Sequence, residues 1–193
     1  IDLEQEYRQE YFFKTGYANF QEGNNELART AFSEVKDGDS QYANPALYYF
    51  SHISYEDKSY QTALDGFLKL EGDEGFGKVV PYYIIQIYYL QGKYEEVTSY
   101  APKLENATIV NEKDINHLIG DAYYRTGKYD EAVTHLEKFD QLAETTRDED
   151  YQLAYAYYKS KSYDKAVKIF DRITKNHTDS LAQTSYYHMG ESY

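Results

Sequence analysis

The sequence predicts an all-α fold, a solenoid of stacked antiparallel helix pairs. Three observations predict it. A block of about 34 residues recurs five times, and a sixth copy begins before residue 193. Each block holds two runs of apolar residues at helical spacing. A short polar break, often with glycine, separates the two runs.

The clearest pair of copies is Ile119 to Ala132 and Leu153 to Ala166, which superpose with a shift of 34. Ala132 and Ala166 are anchors, and Ala28, Ala63 and Val97 hold the same place in the other copies, at separations of 34 or 35. Four residues after each anchor come Phe32, Phe67, Ala101, Leu136 and Phe170. Three further on come Val35, Leu70, Leu104, Phe139 and Ile173. Upstream of the anchors stand Gly16, Ser51, Ile85, Gly120 and Ala154, with Gly190 in the incomplete copy. A tyrosine precedes four anchors (Tyr60, Tyr94, Tyr129, Tyr163), whereas the first copy has Asn25 and is the least typical.

In the fourth copy Ile115, Leu118, Ile119, Ala122 and Tyr123 form one helical face. The break at Thr126-Gly127-Lys128 suits a helix end, because glycine takes left-handed backbone at little cost. Tyr129, Ala132, Val133, Leu136 and Phe139 form the face of the partner helix. Gly120 and Ala132 are expected to face each other and let the helices approach. One such hairpin cannot bury its apolar surface alone, so neighbours must stack.

These spacings resemble the tetratricopeptide repeat (TPR) family over residues 9 to 193. The family pattern is carried most fully by Ile119, Gly120, Tyr123, Gly127, Tyr129, Ala132 and Leu136. The resemblance implies a right-handed superhelical solenoid. Its repeats would span 9–43, 44–77, 78–112, 113–146 and 147–182, after a lead-in at 1–8 and before a sixth first helix at 183–193. The third repeat departs from the pattern, with Ile85 and Val97 where small residues are usual; these should hold its helices apart. Pro102 should end or kink the second helix near Ala101. The connector from Glu105 to Lys113 is the expected point for a change of superhelical path.

Composition narrows the function classes. Net charge is −13 with no basic stripe, which argues against nucleic acid and against docking on an anionic membrane. No run of 18 apolar residues exists, so no membrane insertion is expected. Cysteine is absent, which excludes disulfides and thiolate metal sites. Two Asn-x-Thr sequons, at Asn106 and Asn176, fit chance occurrence in a polar chain. The chain opens on Ile1 and stops within a first helix, which reads as a piece of a longer repeat protein.

Catalysis is not expected. His52, His117, His135, His177 and His188 lack metal-ligand spacing, and no phosphate loop follows a strand. Gly72 to Gly77 reads as an inter-repeat turn. Acid groups such as Glu95-Glu96 and Asp148-Glu149-Asp150 read as helix starts. No cofactor and no metal is expected.

The resemblance places the fifth, ninth and twelfth residues of each repeat on a concave groove. The fifth are Phe13, Tyr48, Tyr82, His117 and Tyr151, with Tyr187 in the sixth copy. The ninth are Tyr17, His52, Gln86, Asp121 and Tyr155, with Glu191. The twelfth are Phe20, Tyr55, Tyr89, Tyr124 and Tyr158, aromatic throughout. Tyrosine gives a rigid stacking surface and a hydroxyl, which suits an interface; the same rings also suit packing between repeats. The ninth position varies, as a segment-reading surface would. Lysine, arginine and asparagine, which grip a C-terminal carboxylate in some family members, are missing from these positions, so that mode is rejected.

The expected function is a non-catalytic scaffold holding an extended peptide or helix of another protein in this groove. The acidity favours a basic partner or serves only to keep the surface soluble. Self-association stays open. A glycan-binding module and a purely architectural spacer are the alternatives. The absence of cysteine and the tyrosine-rich style resemble repeat proteins of the bacterial periplasm and outer membrane, with the cytoplasm as the alternative.

Overall fold

The computed structural model describes residues 3–193, apart from the side chains at 105 and 106. Residues 1 and 2 of the lead-in and the side chain of Asn106 in the first sequon therefore lie outside the described residues. Among the described residues there are eleven α-helices and no strand. They are α1 (Leu3–Gln21), α2 (Asn25–Ser33), α3 (Ala43–Glu56), α4 (Tyr60–Lys69), α5 (Val80–Leu90), α6 (Tyr94–Tyr100), α7 (Glu112–Arg125), α8 (Tyr129–Leu142), α9 (Arg147–Lys159), α10 (Tyr163–Thr174) and α11 (Ser180–Glu191). Because α1 begins at Leu3, residues 3–8 of the expected lead-in belong to the first helix. None of these helices is long and apolar enough to cross a membrane.

The chain forms two compact units. One comprises residues up to Ile87 with Lys103–Thr108, and the other Tyr88–Pro102 with Ile109–Tyr193. In the first unit α1 packs on α2, α2 on α3, and α3 on α4. In the second α6 packs on α7, and α7 through α11 follow in the same pairwise order. The second helices α2, α6, α8 and α10 thus each cover the first helix that follows.

Every hairpin turn has the same cause. Gly23, Lys58, Gly92, Gly127 and Lys161 all have φ between 59° and 78°. The residue after each donates its N–H back across the turn, as Lys128 does to the Tyr123 carbonyl at 2.9 Å and Ser162 to the Tyr157 carbonyl at 2.8 Å. This closure satisfies carbonyls that the helix end would leave unpaired. Glycine takes that conformation without cost in three turns, and lysine is held there in two.

The close approach differs in detail from the expectation. A Cβ on Gly120 would lie 2.7 Å from Leu136 Cδ2, and one on Gly16 2.7 Å from Phe32 Cε1. The small residue therefore faces the large side chain one turn beyond the anchor, and not the anchor Ala132 itself. In α3 and α4 the arrangement is reversed: Ser51 sits on the first helix and Gly66 opposite it, where a Cβ would meet Ser51 Oγ. The anchors Ala28, Ala63, Val97, Ala132 and Ala166 are all fully buried.

At Pro102 the helix does end early. α6 stops at Tyr100, and a 3₁₀ segment runs from Ala101 to Asn106. Proline has no N–H to give the carbonyl four residues back, that of Thr98. Tyr123 of α7 supplies the missing donor, its hydroxyl lying 3.3 Å from that carbonyl. Ile85 and Val97 are both fully buried, one in each unit. The acidic helix starts are as expected in α6 and α9, and α9 adds a capping box between Thr146 and Glu149. The 72–77 segment is a turn in which Asp73 accepts from the backbone N–H of Gly75 and Phe76.

Two outcomes follow from this packing. Gly120→Ala should lower stability by about 1–3 kcal/mol, because Leu136 and its backbone leave no room for a methyl group; urea denaturation measures it, and a shift within roughly 0.3 kcal/mol would show that α7 and α8 yield freely. His135 on α8 is pushed down to about 4 by burial, with Lys138 adding to the effect. Its ring stacks on Tyr123 and its Nδ1 lies 3.0 Å from Asn116 Oδ1. The folded state thus favours the neutral ring, and the unfolded chain takes up the proton from about pH 6.5 downward. Stability should be fully present above that pH and fall as pH drops towards 4, and His135→Gln should flatten that fall in urea midpoints.

Candidate functional site

The fifth, ninth and twelfth residues lie on the first helix of each pair, two helical turns separating fifth from twelfth. In the five complete pairs most of them are half-buried, whereas Tyr187 and Glu191 of the sixth copy are exposed. Phe13, Phe20, Tyr48, His52, Tyr55, Tyr82, Gln86, Tyr89, His117, Tyr124, Tyr151, Tyr155 and Tyr158 are all partly buried. Tyr17 is more open, at 41% exposure, and Asp121 is buried at 2%.

Fifth-position rings lean onto the second helix of their own pair or the turn beyond it. Phe13 packs on Phe32, Tyr48 stacks on Phe76 at 4.6 Å, His117 stacks on Phe139 at 4.3 Å and Tyr151 meets Phe170 at 5.9 Å. Tyr82 packs edge-on against Tyr83. This position is half core and half surface.

Twelfth-position residues form rungs to the ninth position of the next pair. Tyr55 donates its hydroxyl to Gln86 Oε1 at 3.2 Å, Tyr89 to Asp121 Oδ2 at 2.8 Å and Tyr158 to Glu191 Oε2 at 3.0 Å. Phe20 meets His52 edge-on at 5.8 Å, and Tyr124 meets Tyr155 edge-on at 5.9 Å. Within each pair the twelfth tyrosine also packs on the tyrosine that opens the second helix, with centroids 5.6–6.1 Å apart. Burial pushes the Tyr55, Tyr89 and Tyr124 hydroxyls above the usual phenol range, and the Asp121 carboxylate adds to this at Tyr89.

Variation at the ninth position therefore has a structural cause: each residue answers the rung that reaches it. Asp121 is the extreme case. It accepts from Tyr89, from Arg125 Nε at 2.5 Å and from Gln152 Nε2 at 2.7 Å. An expected groove carboxylate is instead the junction of three consecutive first helices. His52 is similarly enclosed, with Phe20, Tyr48 and Tyr83 around its ring, and burial lowers its pKa.

Sequence reasoning missed the sixth position. Tyr49 packs on Phe20 and Phe32, Tyr83 stacks on Phe67 at 5.0 Å, and His188 lies against Tyr151, Tyr155, Tyr158 and Phe170. Each covers the preceding pair. The signal was present as doublets at one register: Tyr48-Tyr49, Tyr82-Tyr83 and Tyr187-His188. Cations were missed too. Arg125 lies over Tyr94 at 5.0 Å and Lys159 over Tyr129 and Tyr155, so three tyrosine faces are already occupied from thirteenth positions, those of Tyr94 and Tyr129 by the cation of the next pair and that of Tyr155 by its own. Away from this face, α1 and α2 of the first unit enclose an apolar groove of about 510 Å³ lined by Tyr11, Phe12, Leu27 and Ala31.

Residues 113–193 match the SRP_TPR_like family model, described as a TPR-like repeat. The fold agrees with solved structures along nearly the whole chain. MamA of AMB-1 superposes with a TM-score of 0.69 at 16% identity, over 92% of this chain and 98% of that one. The chain has a tetratricopeptide-like repeat fold. A tetratricopeptide repeat protein from Parabacteroides merdae ATCC 43184 gives a TM-score of 0.63 at 15% identity, over 96% of this chain and 75% of that one. MamA 41-end from Desulfovibrio magneticus RS-1 gives 0.61 at 14%, over 87% and 94%. At these identities the likeness carries the TPR-like fold alone. No curated protein matches the chain significantly in sequence.

The junction at Asp121 is directly testable. Asp121→Ala leaves Tyr89, Gln152 and part of Arg125 without their acceptor, and should cost about 2–3 kcal/mol. Asp121→Asn keeps one acceptor and should cost roughly half of that. Urea unfolding of the pair gives the comparison; equal and negligible losses would mean that the three bonds add nothing to water.

Proposed function

We propose that this TPR-like protein is a non-catalytic interaction scaffold whose first-helix faces hold an extended peptide or a helix of another protein. The single observation that carries the reading is the array of half-exposed rings at the fifth and twelfth positions within each unit, the twelfth held in place by the rungs. A preorganised aromatic surface binds with little ordering cost. The charge of −13 supports a basic partner. Five repeats with the boundaries given above, and a sixth begun, are part of this proposal. So is a bacterial envelope location, which the cysteine-free composition fits and cell fractionation tests.

The glycan-binding alternative is weaker. A sugar site needs carboxylates or amides with acceptors to spare beside a ring, and Asp121 has none readily available. The architectural alternative accounts for the rungs but not for the exposure that remains on the rings.

Site-specific photo-crosslinking separates these readings. With p-benzoylphenylalanine at position 124, a protein from native extract should be captured, and with the same group at Lys138 on α8 it should not. Capture at Tyr11 alone would move the site to the α1–α2 groove, and no protein captured at 124 would defeat the groove reading.

A further inference from the structure

This inference rests on the groove reading and specifies the chemistry of its partner. A phenol has one proton and two acceptor lone pairs. In Tyr55, Tyr89 and Tyr158 the proton is committed to the neighbouring pair, on Gln86, Asp121 and Glu191. None of these hydroxyls can donate to a ligand without breaking a bond between repeats, whereas each oxygen can still accept. Donation to a carboxylate, as at Asp121 and Glu191, makes the phenol oxygen a stronger acceptor.

The remaining donors on these faces are largely engaged. The Gln86 amide donates to the Tyr82 carbonyl, and Arg125 is held by Asp121 and by the Tyr94 ring. Lys159 lies over Tyr129 and Tyr155. In the first unit the thirteenth position carries Gln21 and Glu56 instead of a cation. Among the exceptions are the hydroxyls of Tyr124, Tyr151 and Tyr155, which have no hydrogen-bond acceptor among the described residues and lie against one another's rings.

We propose that the ladder in either unit binds a lysine- or arginine-bearing segment. Its N–H groups are accepted by the hydroxyl oxygens of Tyr55, Tyr89 and Tyr158, and a segment bearing carboxylate or phosphate finds no donor at these three rungs. Cations already rest on tyrosine rings beside the ladder, Arg125 on Tyr94 and Lys159 on Tyr155.

The test uses the whole chain with ¹³C-labelled tyrosine rings and two blocked octapeptides, one alternating lysine with glycine and the other glutamate with glycine. The lysine peptide should shift the Tyr55, Tyr89 and Tyr158 ring signals saturably, and the glutamate peptide should not. Y55F/Y89F/Y158F keeps every ring and the net charge, so it separates the oxygens from the general acidity. It should bind the lysine peptide about tenfold more weakly. Single Y55F and Y89F variants provide the same comparison if the triple variant loses helicity. Unchanged lysine-peptide affinity in these variants, or equal binding of the glutamate peptide at the rungs, overturns the inference. A partner crosslinked at position 124 through a segment without cations overturns it too, and leaves the groove reading standing.

Discussion

The distance at which the two helices of a pair can approach governs everything else in this chain. Gly16 under Phe32 and Gly120 under Leu136 allow contact that a single methyl group would prevent. Where the first helix carries Ser51 instead, Gly66 on the second restores the room. Helices packed this closely leave each pair with an apolar flank that it cannot cover alone, and the second helix of one pair covers the first helix of the next. Stacking is the consequence of the close approach and not a separate design.

The rungs translate that stacking into chemistry. Once the spacing between pairs is set, a tyrosine at the end of one first helix reaches the middle of the next, and the residue there must answer it. Aspartate and glutamate answer with a charged acceptor, glutamine with a neutral one, and histidine or tyrosine with a ring. The ladder is therefore a structural tie and an exposed surface at once. The positions of the Tyr55, Tyr89 and Tyr158 rings, and the direction of their hydroxyl protons, are already assigned by the fold. The same economy appears at Pro102, where a carbonyl left without its helical donor is satisfied by Tyr123 from the following helix.

The helix pairs and their register were legible in the sequence because both arise from local rules. A period of 3.6 marks a helix face, and a recurrence of about 34 residues marks a unit. The early end of α6 was legible for the same reason, since proline acts on its own turn. The opposition of Gly120 to Leu136 was not, because which residues meet across a crossing depends on the rotation of one helix against the other. The rungs were equally hidden. Their partners stand 31 to 33 residues apart, and the helical period says only that each lies on the face of its own helix.

By itself the sequence determined that this chain is all-helical, paired and repeated, and which side chains share the first-helix face. Backbone propensity and apolar periodicity suffice for that, since each acts within a few turns. Only the tertiary structure decided what those side chains do. It buried Asp121 among three donors and placed Arg125 and Lys159 over tyrosine rings. These assignments depend on the spacing and rotation of neighbouring pairs, which are set by the sum of many packing contacts and are written in no single stretch of residues.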